Sequence, residues 1–118
     1  MIDDVVSELL EAVPEFADRF LELVADADDD PGTAAALTEL AEYAAGLALD
    51  LERSRPVLVR CLEAVESAAR RSDEAAELVA WAFLDSLAPA DRARLAPWFG
   101  ARTRALLDEV EGPGDPGP

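Results

Sequence analysis

At 118 residues the chain is long enough for one hydrophobic core and too short for two, and it buries enough surface to fold without disulfides or a structural metal. It contains no histidine, lysine, asparagine or glutamine and a single cysteine, Cys61, which excludes histidine-based triads and zinc sites, cysteine-cluster metal sites and any intrachain disulfide. Its formal charge of −16 attracts cations and repels nucleic-acid phosphates and anionic lipids, so direct nucleic-acid and membrane binding are not expected.

The first predicted helix covers residues 4–12, with Val5, Val6, Leu9, Leu10 and Val13 at helical spacing behind Asp3 or Asp4, either of which suits a helix N-terminus. Pro14 cannot sit inside a helix but can open one, and Phe16, Phe20, Leu23 and Val24 form the stripe of a second helix running to about Ala25. The segment 26–32, DADDDPG, reads as an exposed loop. Thr33 is placed to cap a third, long helix whose inward face is Leu37, Leu40, Ala41, Ala44, Leu47, Ala48 and Leu51.

Pro56 reads as the first turn of a fourth helix with Leu58, Cys61, Leu62, Val65 and Ala68 inward, and Arg70 and Arg71 match its C-terminal dipole before a new cap at Ser72–Asp73. The fifth helix, about 74–87, is apolar almost all round, which predicts the most buried element, with Trp81 in the core. A short acid–base turn holding Asp91, Arg92 and Arg94 follows Pro89. A last helix, roughly 101–111, closes the core with Leu106, Leu107 and Val110. The expected fold is all-α, a compact bundle or hairpin stack of about six helices, in a single helical domain over residues 1–111 with a disordered Gly-Pro tail at 112–118. The acidic opening Met1-Ile2-Asp3-Asp4 does not read as a signal peptide. The longest apolar run, 78–84, falls far short of the roughly 20 residues a membrane span needs, so the expected location is the cytoplasm.

Charge is distributed unevenly. Residues 1–52 hold eight aspartates and seven glutamates against Arg19 alone, a balance of −14, whereas residues 53–118 hold eleven carboxylates against nine arginines, a balance of −2. Asp26, Asp28 and Asp30 have the spacing of a calcium loop, but Pro31 stands where glycine is required and Leu37 where a bidentate glutamate is required. The pairs Glu8–Glu11, Glu39–Glu42 and Glu63–Glu66 share helix faces but lack the histidines of helical di-iron sites. No glycine-rich phosphate loop is present. Catalytic, metal and cofactor residues are therefore not expected, and the protein reads as a non-enzyme.

Three stretches resemble a family of small bacterial all-helical domains without an assigned biochemical function. These are LLEAVPEF at 9–16, SDEAAELVAWAFLDSL at 72–87, and WFGA at 98–101, where the family has a Leu-Gly-Pro turn. Ala101 stands in place of that turn's proline, and the acidic segment at 26–32 is a further departure. The resemblance covers most of residues 1–110 and implies an all-helical fold. In size and acidity it is similar, by analogy, to immunity proteins that neutralise toxins.

The function expected from the sequence is a non-enzymatic acidic module that binds a basic protein partner. Asp26, Asp28, Asp29, Asp30, Glu39 and Glu42 form the contact set, with Tyr43 as a rim aromatic. The alternative is a structural or scaffold domain that self-associates through a Trp98–Phe99 patch.

Overall fold

The computed structural model describes residues 4–27 and 32–111, together with their side chains except those of Asp4, Asp26 and Ala27. Among them every regular element is helical: α1 (Asp4–Ala12), α2 (Ala17–Ala27), α3 (Gly32–Leu47), α4 (Leu51–Arg71), α5 (Asp73–Leu78) running on into a π-helical turn (Val79–Leu84), α6 (Pro89–Leu95) and α7 (Ala101–Glu111). The six helices expected from periodicity are all present. The Pro89 turn is itself two turns of helix, opened by Pro89 and tied by an Asp91–Arg94 pair at 2.8 Å. The expected loop at Asp28–Pro31 and the tail 112–118 lie outside the described residues.

Local chemistry sets most of the boundaries. Val13 takes a non-helical conformation (φ −131°, ψ 75°) because the proline that follows disfavours the helical one, and Pro14 then starts a 3-10 turn, Pro14–Phe16, that leads into α2. α2 extends to Ala27, so the backbone of Asp26 is helical and not part of the loop. Gly32 opens α3 at φ 81°, a left-handed conformation that strains any L side chain. Thr33 lies inside the first turn and makes no capping hydrogen bond.

The fourth helix begins at Leu51, five residues before the expected Pro56. A 3-10 turn, Ala48–Asp50, joins it to α3 with a break at Asp50 (φ −139°, ψ 67°). Pro56 removes one N–H, whose helical acceptor would be the carbonyl of Glu52. Both residues are exposed, so water can serve that carbonyl and the helix tolerates the proline. At the far end Ser72 is extended, and its hydroxyl accepts the Ala75 N–H at 3.0 Å to cap α5.

α4 is the axis of the molecule, packed against α1, α3, α5 and α7, while the π-helical turn lies between α3 and α7. These contacts join helices far apart in sequence, which decides for a bundle over a hairpin stack, where each unit touches only its neighbours. Buried residues from every helix join in one apolar cluster. The π turn serves that cluster. Its wide Asp85 N–H to Ala80 carbonyl bond (2.9 Å) lets Ala82, Phe83 and Leu84 all face inward in succession. The hydroxyls of Thr38 and Ser86 both donate to the Ala82 carbonyl, at 2.9 and 2.8 Å, as partners at the helix end. No helix among the described residues is long and apolar enough to cross a membrane.

Two aromatic placements differ from expectation. Trp81 is 56% exposed, because with Val79 and Phe83 pointing inward it falls on the opposite side of the helix. Phe99 is buried, and Trp98 is half-buried with the Arg55 guanidinium 5.4 Å from its ring centroid. The Trp98–Phe99 pair is thus core and flank, with Trp98 the partly exposed member.

Candidate functional site

Of the expected contact set, the structure brings Glu39, Glu42 and Tyr43 together around Arg19. The Arg19 Nε and Nη2 both donate to Glu39 Oε1, at 3.1 and 3.0 Å, and Glu42 Oε2 lies 3.9 Å from Nη2. The same guanidinium sits 5.5 Å from the Tyr43 ring centroid, and that ring meets Phe16 at 5.6 Å in a tilted contact. Arg19 therefore staples α2 to α3 through a carboxylate and an aromatic face. Burial pushes the Tyr43 phenol above its ordinary value, so the half-buried ring is a neutral packing element. Glu39 is three-quarters covered, while Glu42 keeps 67% of its side chain exposed. Asp28, Asp29 and Asp30 lie outside the described residues, as does the side chain of Asp26.

Other front-half carboxylates are held from α4. Arg60 grips Glu15 with two hydrogen bonds, at 3.1 and 2.7 Å, and also donates to the Ala12 carbonyl at 3.3 Å. The hydrogen bond from Arg60 holds the Glu15 carboxyl below its ordinary value. Arg71 pairs with Glu8. Glu11, Asp18, Glu22, Asp50 and Glu52 are exposed and make no ion pair with any described residue. Among the described side chains of α2 the exposed ones are Asp18, Leu21, Glu22 and Ala25, one outward stripe at helical spacing. Leu21 stands among its acids.

Of the pair Glu63–Glu66, Glu66 has structural employment. Glu66 reaches from α4 to the start of α7, where Oε2 accepts the Arg102 N–H at 3.0 Å and Oε1 accepts the Thr103 N–H and hydroxyl, each at 2.8 Å. Burial pushes this carboxyl up. The bonds from Thr103 and Arg102 and the charge of Arg70 outweigh that and hold it below its ordinary value. Gly100 makes room for it, since a Cβ there would meet Glu66 Cδ at 2.5 Å. No group of three or more His, Cys, Asp or Glu side chains among the described residues is arranged to hold a metal ion. Cys61 is buried, and desolvation pushes its thiol up to about 12.

Two residues central to this surface escaped sequence reading. Arg19 was visible as the lone front-half cation, but its partner Glu39 lies 20 residues on. Glu66 sits 37 residues before the hydroxyl it accepts, and only the glycine of WFGA hinted at a close approach. Compared with known proteins, the chain matches no family model, no curated protein and no solved structure.

Proposed function

We propose that the protein is a non-enzymatic acidic module of the cytoplasm that binds a basic protein partner through its front half, in the manner of immunity or antitoxin proteins. The carrying observation is that the described front half has no uncommitted cation. Arg19 is spent on Glu39 and Glu42, while Glu11, Asp18, Glu22, Asp50 and Glu52 face solvent unpaired. Asp26, Asp28, Asp29 and Asp30 add four carboxylates to the same half of the chain. Such a field raises the association rate and selects for a cationic patch. A basic DNA-binding protein is one such partner, because rows of carboxylates imitate phosphate spacing. In size and acidity the chain is similar, by analogy, to immunity proteins that neutralise toxins.

The test is a pull-down from the native host at low salt, followed by titration calorimetry with the purified partner. Affinity is expected to fall steeply between about 0.1 M and 1 M salt, where the Debye length shrinks from about 10 to about 3 Å. It is also expected to fall when Asp18, Glu22 and Asp50 are changed together to lysine. Recovery of no basic partner at low salt, or an affinity indifferent to salt, would reject the proposal.

A further inference from the structure

We infer that the groove between α5 and α7, with Trp81 beside it, is a second docking site, and that it takes an amphipathic helix of a partner protein carrying leucine-type side chains flanked by lysine or arginine. The groove has a volume of about 350 Å³. Its floor is apolar, formed by Ala76, Ala80, Leu106 and Val110. Small alanines on one wall allow a helix to lie close, and on the other the partly exposed Val110, above the buried Leu106, offers contact area, as helix-in-groove recognition requires. The floor has no converging polar groups of the kind that orient a small ligand.

The rim gives the occupant its sign. Asp73, Glu77 and Glu109 are exposed there and make no ion pair with any described residue, and Arg102 is the one cation among them. Basic residues flanking an apolar stripe satisfy this rim, and Arg102 offers one place for an acid on the partner. Trp81 stands four residues after Glu77, one turn along the same side of the helix. It is the one largely exposed aromatic among the described residues, and tryptophan is the side chain most enriched at binding hot spots.

A second copy of this chain fits poorly. The other exposed large apolar residues described are Leu21 and Leu49, and both sit beside unpaired acids, Asp18 and Glu22 or Asp50, so docking them would bring carboxylate to carboxylate. The inference stands apart from the front-face reading, because the groove is built by residues 73–80 and 102–110 and shares none with α2 or α3.

The experiment titrates the isotope-labelled full chain, in a Trp98→Phe background, with a synthetic leucine–lysine helix of about five turns, followed by amide shift mapping and Trp81 fluorescence. Saturable binding is expected, with shifts confined to 73–81 and 102–110 and a blue shift of Trp81 emission. Trp81→Ala, or Glu77→Arg with Glu109→Arg, should weaken it about tenfold or more. These side chains are exposed, and melting curves verify that the variants fold. The same helix with glutamate for lysine should not bind. Shifts clustering on α2 and α3 would overturn the groove while favouring the front face. Absence of binding, or an affinity untouched by Trp81→Ala, would overturn it outright, as would a concentration-dependent dimer that Trp81→Ala abolishes, since that gives the groove to a second copy.

Discussion

Removing the carboxylate of Glu66 tests how α7 is attached to the rest of the molecule. The side chain is 15% exposed and accepts hydrogen bonds from two backbone N–H groups at the helix start and from the buried Thr103 hydroxyl. Hydrogen bonds to charged groups contribute about 1.5–3 kcal/mol each. They are not additive, and water reaches some of the freed donors, so Glu66→Ala is expected to cost about 3 kcal/mol. With about 2.1 cal/mol/K of unfolding entropy per residue over 118 residues, that lowers Tm by about 12 °C. Gly100→Ala should also destabilise, because its Cβ would lie 2.5 Å from Glu66 Cδ while three hydrogen bonds pin that side chain. In a Glu66→Ala background the obstruction is gone, so the two losses should fail to add by about 1–2 kcal/mol. The pH dependence has a fixed sign. The folded pKa of Glu66 is lowered, so its contribution is fully present above the unfolded value and disappears as pH falls through the folded one. The advantage of wild type over Glu66→Gln should therefore hold at neutral pH and shrink below about pH 4. Thermal and urea melts of the five chains supply every number. A Glu66→Ala melting point within about 2 °C of wild type, or a Gly100→Ala loss unchanged in the Glu66→Ala background, would refute the reasoning.

Other consequences are more local. Cys61 is buried with its thiol raised to about 12, so an aromatic disulfide reagent should leave native protein unmodified at pH 8 and label it fully in urea. Arg19→Ala should lose about 1 kcal/mol of stability, as expected of a partly exposed ion pair with a cation–π contact. Calorimetry should show the same variant binding a basic partner more tightly, since Glu39 and Glu42 are released. Phe83→Ala should cost about 3–5 kcal/mol, whereas Trp81→Ala, two residues away, should stay within about 0.5 kcal/mol of wild type in urea titration.

The helices were legible because their apolar spacing and their proline and serine punctuation act locally. Val5, Val6, Leu9 and Val13, and later Leu58, Cys61, Leu62, Val65 and Ala68, are buried as their periodicity predicts. Legibility failed where tertiary context overrode a local signal. Pro56 marks a helix start on propensity alone, yet an exposed early turn tolerates it once α4 is held on four sides. The run LVAWAFL looked apolar all round, and hydrophobicity alone could not set its phase. Helical phase could have, since a helix with both Val79 and Phe83 inward turns Trp81 outward. The candidate surface was harder to read. Carboxylates look alike in sequence, and whether one is free or paired depends on arginines 20 to 63 positions away.

That distance dependence changes what the −14 balance means. A front-half excess computed along the chain would predict repulsion spread evenly over α1, α2 and α3. In space, Arg71 and Arg60 cross from α4 to neutralise Glu8 and Glu15, which ties α1 and the Pro14 turn to the axis of the bundle. The uncompensated charge that remains lies at Glu11 on α1, on the outward stripe of α2 and at the α3–α4 junction, at Asp18, Glu22, Asp50 and Glu52. Surface repulsion falls off over about a Debye length, so the two ion pairs relieve part of the repulsion where α1 meets α4 and leave the outer edge strongly anionic. Salt should accordingly weaken the association of a cationic partner much more than it alters the packing of α1 on α4.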